Sequence, residues 1–229
     1  MLAVITGATD GIGKAIAIEL ANAGFRLAFI ARSGQKAEDL VNQVTGVGHF
    51  YLQGDHTDSR TVDRFCTEIR QRFGGPDLII NNAGVYQTGM PCEMSESSLL
   101  EMLEQNFWHA FRVTQPWLAD FKQKKRGKIV FIGSIVSKET RPEAAAYSLS
   151  KSLLDNYARL LAAELRDYEI PVTRIIPGSV NTASWTEADV PRELFVQPED
   201  ISKTIAALLS LSPSAWVEEI VIRPLAKNW

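Results

Sequence analysis

Cysteine is nearly absent from this sequence: Cys66 and Cys92 stand alone in 229 residues. Two thiols cannot build a disulfide framework or a metal cluster, and they read as reduced thiols of a cytoplasmic protein. Histidine is equally scarce. The spacing of His49, His56 and His109 suits no metal site, so no metal is expected. No apolar run approaches the ~18 residues that span a bilayer. The opening MLAVITGATDG has no basic leader segment, so no membrane partner is expected. Neither sign of charge dominates: 24 basic and 27 acidic residues leave a net charge of −3, which gives no electrostatic case for nucleic acid. The basic run KQKKRGK at 122–128 reads as a solvated turn before a strand. Repeats, low-complexity tracts and linkers are also missing, so residues 1–229 are taken as a single domain.

What is present is a regular alternation. Hydrophobic residues make up 45% and charged residues 22%, a globular profile. Short apolar runs at 2–6, 25–31, 49–52, 78–81, 128–133, 172–176 and 216–222 read as strands. Helical patterns lie between them at 11–23, 35–45, from Thr57 or Asp58 to Phe73, and at 95–122, 144–167 and 198–210. In the fourth of these, serines open the helix, Ser98 and Glu101 have capping-box spacing, and Pro116 crosses it. Strands alternating with helices predict an α/β fold of the Rossmann type. It is a doubly wound, mostly parallel seven-stranded sheet with helices on both faces. Near-continuous apolar strands suit a sheet buried on both sides.

Three stretches carry chemistry. TGATDGIG at 6–13 joins the first strand to the first helix, with Gly7, Gly11 and Gly13 in the spacing GxxxGxG. Glycine lets backbone approach a phosphate, and a helix N-terminus offers unpaired N–H groups and partial positive charge. A tight turn without a ligand is the alternative. The second strand ends in FIARSG, where a dinucleotide site places an acid for a ribose 2′-hydroxyl or a base for a 2′-phosphate. Arg32 and Ser33 stand there, and the nearest acid is Glu38, which favours NADP over NAD. A plain surface arginine is the other reading. In AAAYSLSK at 144–151, Tyr147 and Lys151 are four positions apart and share a helix face. A cation beside a phenol favours the phenolate, and the small residues Ala146, Ser148 and Ser150 leave room for a ribose against this helix.

With TGATDGIG, NNAG at 81–84 and YSLSK at 147–151, the chain resembles the short-chain dehydrogenase/reductase family. The likeness is to its short, single-domain branch of 3-oxoacyl-carrier-protein reductases and carbonyl reductases. The resemblance implies a cofactor loop formed by Gly7, Thr9, Gly11, Ile12 and Gly13, and an adenine-binding acid at Asp55. The residue after that acid is usually apolar in the family; here it is His56. Asn81, Asn82, Ala83 and Gly84 match the turn that borders the cofactor. Pro177, Gly178, Val180 and Thr182 match the turn that faces the nicotinamide carboxamide. Ser134, thirteen residues before Tyr147, matches the catalytic serine, and Asn106 matches the asparagine of the proton relay.

The implied activity is hydride transfer between NADP(H) and a ketone, aldehyde or secondary alcohol, with NAD(H) as the alternative cofactor. Tyr147 would serve as general acid/base and Lys151 would also hold the nicotinamide ribose. Asn106 would hold a water that connects Lys151 to solvent. Asp10 departs from the basic residue of many NADP-preferring members and is expected at the helix start. A short substrate lid is expected at 183–197, where Trp185 and Phe195 contact an apolar substrate or pack the lid shut. Cys92 either borders the substrate or is a bystander thiol. The helices at 95–122 and 144–167 match the family's pairing helices. With Phe107, Trp108, Phe111 and Trp117 as apolar surface they imply a homodimer or homotetramer. The competing reading is a nucleotide-binding regulatory or scaffolding protein without turnover, which would have no need for the set Asn106, Ser134, Tyr147 and Lys151.

Overall fold

Alternate residues of a strand face opposite ways, and the first strand, β1 (Leu2–Ile5), is apolar on both sides. Leu2 and Val4 pack into one apolar layer, Ala3 and Ile5 into the other, and all four are buried. Such a strand needs cover on both faces. The computed structural model describes residues 1–185 and 191–226. Among these, seven strands pair in the order β3-β2-β1-β4-β5-β6-β7. The others are β2 (Arg26–Ala31), β3 (Phe50–Gln53), β4 (Leu78–Asn81), β5 (Lys128–Ile132), β6 (Val172–Pro177) and β7 (Glu219–Ile222). Every neighbouring pair is parallel, more uniform than the mostly parallel sheet expected.

One face is covered by α1 (Gly11–Asn22), α2 (Gly34–Gln43) and α7 (Pro198–Leu209), through residues such as Ile16, Leu40 and Ile205. The other face carries α3 (Ser59–Phe73), α5 (His109–Lys124) and α6 (Ala145–Leu165), through Phe65, Trp117 and Leu161. The chain builds outward from β1 to β3, then returns to lay β4 on the other side of β1. That reversal opens a crevice beyond the carboxyl ends of β1 and β4, the place where open parallel sheets bind ligands.

Local chemistry sets most boundaries. Asp58 caps α3 by accepting from the Arg60 and Thr61 N–H groups, and Gly74 ends it at φ 75°, a left-handed conformation that glycine adopts without a Cβ clash. The expected helix at 95–122 is instead α4 (Glu96–Leu103), a π turn (Glu104–Trp108) and then α5. Its cap is Ser95, which accepts from the Ser98 N–H at 3.1 Å, in place of the Ser98/Glu101 box. The expected interface aromatics divide. Phe107 and Trp117 are buried in the core, and exposed apolar surface comes from Trp108 with Leu100, Leu149, Leu153 and Leu160. One strand in from the β7 edge, Arg174 of β6 donates to buried Asp155 of α6 at 3.0 Å, which ties helix to sheet. No helix among the described residues is long and apolar enough to cross a membrane.

Candidate active site

A cleft of about 550 Å³ lies over the crevice. Its floor is the loop from β1 to α1. Gly7 and Gly11 turn the chain at φ +67° and +50°. Gly13 is needed for a different reason: a Cβ there would lie 1.9 Å from the Gly7 carbonyl oxygen and 2.5 Å from Asn82 Nδ2. Asn82 Nδ2 donates to the carbonyls of Thr6 and Gly7 at 3.1 and 3.2 Å. The Thr6 hydroxyl accepts from the N–H groups of Asn82 and Ala83 at 2.9 and 3.0 Å. The two glycine-containing motifs therefore brace each other across the switch point. The first turn of α1 contains no acid, and the carboxylate of Asp10 at its N-cap is paired with Lys36, so the positive end of the dipole faces the cleft. Glycine-lined backbone and free N–H groups fit a dinucleotide pyrophosphate.

At one end of the cleft stands Arg32, with His56 beside it in the lining. Ser33 lies outside the lining and caps α2 by accepting from the Lys36 N–H at 3.3 Å. Asp10 holds the N-cap position of α1, and its carboxylate pairs with Lys36 Nζ at 2.9 Å, both exposed. Asp55 also stands outside the lining and accepts from the Thr57 N–H and hydroxyl at 2.9 and 2.8 Å. Burial opposes ionisation of Asp55, but the Thr57 hydrogen bonds and the nearby His56 and Arg32 hold its carboxyl below the usual range.

At the other end, β5 delivers Ser134 and the first two turns of α6 deliver Tyr147 and Lys151, and all three line the cleft. Ser134 accepts from the Val136 N–H at 3.4 Å and is hydrogen-bonded to the Tyr147 phenol. Burial raises the phenol above its ordinary pKa; neighbouring Tyr86 raises it further and Ser134 pulls it down. The expected lowering by Lys151 is not what this structure shows. The lysine is itself buried, donates to the Ile132 carbonyl at 3.2 Å, and burial lowers its pKa to about 8.

Gly84 explains how this cluster closes. A Cβ at Gly84 would lie 2.6 Å from Asn106 Oδ1 and 3.2 Å from Lys151 Nζ, so any side chain would wedge the two apart. Asn106 sits in the π turn, fully buried. Its Oδ1 accepts from the Val85 N–H at 2.8 Å, and its Nδ2 donates to the Val85 carbonyl and to Ser150 Oγ, each at 3.1 Å. Ser150, expected to leave room for a ribose, does something else. It is buried, donates to the Tyr147 carbonyl at 2.7 Å and ties α6 to Asn106, because its face of the helix turns away from the cleft.

Aromatic side chains form the mouth. Tyr86 packs edge-on against Tyr147 with ring centroids 5.1 Å apart and stacks on Trp185 at 6.3 Å; Trp185 meets Phe195 at 5.0 Å. Arg141, Glu143 and Arg223 complete the rim. Tyr86, Arg141 and Lys36 belong to no motif, so only folding reveals them, and it adds that His56, next to the motif acid Asp55, lines the cleft. Cys92 is exposed and does not line the cleft. Of the expected lid at 183–197, residues 186–190 lie outside the described residues.

Comparison with known proteins agrees with the geometry. The family described as short chain dehydrogenase matches residues 1–192, and the chain belongs to it. The chain is an oxidoreductase of this family. An uncharacterised oxidoreductase of Staphylococcus aureus is 28% identical over 224 residues, covering 98% of this chain and 97% of that protein. A 3-oxoacyl-[acyl-carrier-protein] reductase of Staphylococcus aureus is 29% identical, covering 91% and 90%. Among solved structures, an alcohol dehydrogenase of the archaeon Thermococcus sibiricus complexed with 5-hydroxy-NADP is 31% identical. It superposes with a TM-score of 0.90 over 99% of this chain and 97% of that one. A metagenomic short-chain oxidoreductase in complex with NADP is 27% identical, with a TM-score of 0.84 over 99% and 98%.

Proposed function

We propose that this protein is an NADP(H)-dependent oxidoreductase that moves a hydride between nicotinamide and a ketone, aldehyde or secondary alcohol. The observation that carries the reading is the convergence of Ser134, Tyr147 and Lys151 at one end of a cleft whose floor is the open N-terminus of α1. The glycine loop and α1 hold the pyrophosphate, and Arg32 offers a planar donor fork to a 2′-phosphate. Val180 and Thr182 hold the carboxamide. When bound, the nicotinamide supplies or accepts the hydride at the carbonyl carbon. Ser134 donates to the substrate oxygen and stabilises the charge that develops there. Tyr147 passes its phenolic proton to that oxygen as general acid, or takes one as general base in the reverse direction. Lys151, charged below about pH 8, is the cation that stabilises the phenolate left behind. Tyr86 and Trp185 offer an apolar wall to the substrate. The apolar stripe on α6 supports assembly as a homodimer or homotetramer, and the two lone cysteines suit a cytoplasmic setting.

The test is Tyr147→Phe, assayed by NADPH oxidation against a panel of ketones, aldehydes and β-ketoacyl thioesters. Turnover should vanish while NADPH binding persists. Turnover like the wild type in the variant overturns the reading.

A further inference from the structure

The end of the cleft that holds Tyr147 carries aromatic side chains that hydride and proton transfer do not need. Tyr86, in the loop after β4, meets the Tyr147 ring edge-on, with centroids 5.1 Å apart and planes at 80°. It also stacks on Trp185, at 6.3 Å with planes 21° apart. Trp185 meets Phe195 at 5.0 Å, and Phe195 is buried. Tyr86, Tyr147 and Trp185 all line the cleft, and Tyr86 is 42% exposed. One aromatic surface therefore runs from the phenol to the mouth, anchored in the core at Phe195. Apolar surface left open in a cleft marks a ligand-binding groove.

The charged rim beside this wall neutralises itself. Gly89, from the loop that carries Tyr86, donates to the Glu143 carbonyl at 2.8 Å and accepts from the Ala145 N–H at 3.0 Å, which joins wall to rim. Arg141 and Arg223 stand at the rim. Both donate to one carboxylate, that of Glu139, at 3.1 and 2.5 Å, and Arg141 also lies 3.8 Å from Glu143. Two cations and two carboxylates this close together leave little net field for a substrate.

We propose that the substrate of this site is an uncharged aryl ketone or aldehyde, or the matching benzylic alcohol, whose ring lies against Tyr86 and Trp185. The inference rests on the roles proposed for Ser134, Tyr147 and the nicotinamide. An aromatic ring gains edge and face contacts on this wall that a saturated ring of the same size lacks, which supports a preference of about tenfold. A carboxylate on that ring would lose water at a rim whose arginines are already engaged. In reduction, the carbonyl carbon receives the hydride of NADPH, which is thereby oxidised to NADP. The carbonyl π pair moves to oxygen, Tyr147 protonates it to the benzylic alcohol, and solvent returns the proton to Tyr147.

The test compares acetophenone, cyclohexyl methyl ketone and para-acetylbenzoate, each with NADPH. Intrinsic carbonyl reactivity cancels when ratios of kcat/KM are compared between wild type and variant. The ratio of acetophenone to cyclohexyl methyl ketone should fall about tenfold in Tyr86→Ala, chiefly through KM, and Tyr86→Phe should restore it. Should Tyr86→Ala fail to fold, Trp185→Ala should lower the ratio likewise. Glu139→Gln releases the arginines and should raise the ratio of para-acetylbenzoate to acetophenone about threefold to fivefold, the scale of an exposed ion pair. A ratio unmoved by both Tyr86→Ala and Trp185→Ala overturns the proposal, as does a wild type that uses para-acetylbenzoate better than acetophenone. So does a wild type that reduces neither aryl ketone while a Tyr147-dependent activity is found on other carbonyls. A ratio unmoved by Glu139→Gln overturns the exclusion of charged substrates. No turnover on any carbonyl, or wild-type turnover in Tyr147→Phe, would instead overturn the proposed function.

Discussion

Replacing Lys151 with methionine removes a cation that folding buries. Lys151 is 4% exposed and donates to a neutral carbonyl, that of Ile132 at 3.2 Å. Burial lowers its pKa from 10.5 to about 8, a difference of about 2.5. At about 1.4 kcal/mol per unit this is roughly 3 kcal/mol. The folded pKa lies below the unfolded one, so between about pH 8 and 10.5 the unfolded chain binds more protons and stability rises with pH. Below about pH 8 the lysine is charged in both states and the burial penalty is present in full. Methionine fills similar space without charge, and the lost carbonyl bond returns about 1 kcal/mol. Lys151→Met should therefore be more stable than the wild type by about 2 kcal/mol at pH 7. That is a Tm rise of about 4–8 °C for a chain of this size, with catalytic activity lost. The advantage should shrink above about pH 8 and vanish near pH 10.5. Urea unfolding at matched protein concentration, at pH 7 and pH 10, measures it. A variant no more stable than the wild type at pH 7, or a difference indifferent to pH, would refute the reasoning.

Arg32→Ala should erase a wild-type preference for NADPH over NADH of at least about tenfold in kcat/KM, about 1.4 kcal/mol, by weakening NADPH use alone. Equal use of both cofactors by the wild type would make Arg32 a bystander. Asp155→Ala leaves Arg174 buried with one carboxylate fewer and should cost about 3 kcal/mol, read from the urea midpoint. A change under about 0.5 kcal/mol would mean that the pair contributes little. Lys at both Leu153 and Leu160, which are 41% and 71% exposed on α6, should convert an oligomer to monomer in light scattering while the far-UV spectrum is kept. A wild type already monomeric at micromolar concentration would remove the interface.

Periodicity made the alternation of strands and helices legible, because a buried parallel strand must be apolar on both faces and a covering helix on one. Gly7, Gly11 and Gly13 marked the loop because no other residue permits that backbone approach. The shared face of Tyr147 and Lys151 was legible from helical spacing, but its reading as a site came from the register with TGATDGIG, NNAG and Ser134. The π turn was not, since no local signal in EQNFW separates it from an α-helical turn. Its placement accompanies the two hydrogen bonds between Asn106 and Val85, one donated by each. Ser33 read as a phosphate contact from position, and the fold adds that its hydroxyl oxygen caps α2 by accepting from the Lys36 N–H.

Local patterning therefore determined the fold class, the glycine turn after β1 and the shared face of Tyr147 and Lys151 on α6, since each depends on residues within a turn or a strand of one another. Only tertiary structure decided that Gly84 is needed so that Asn106 and Lys151 can approach, that Lys36 neutralises Asp10, that Tyr86 closes on Tyr147 and that His109 meets His56. These pairs are tens of residues apart in the chain, with Tyr86 of the loop after β4 brought to Tyr147 of α6. Their distances, and the burial that sets the pKa of Lys151, exist only once the sheet has assembled and excluded water.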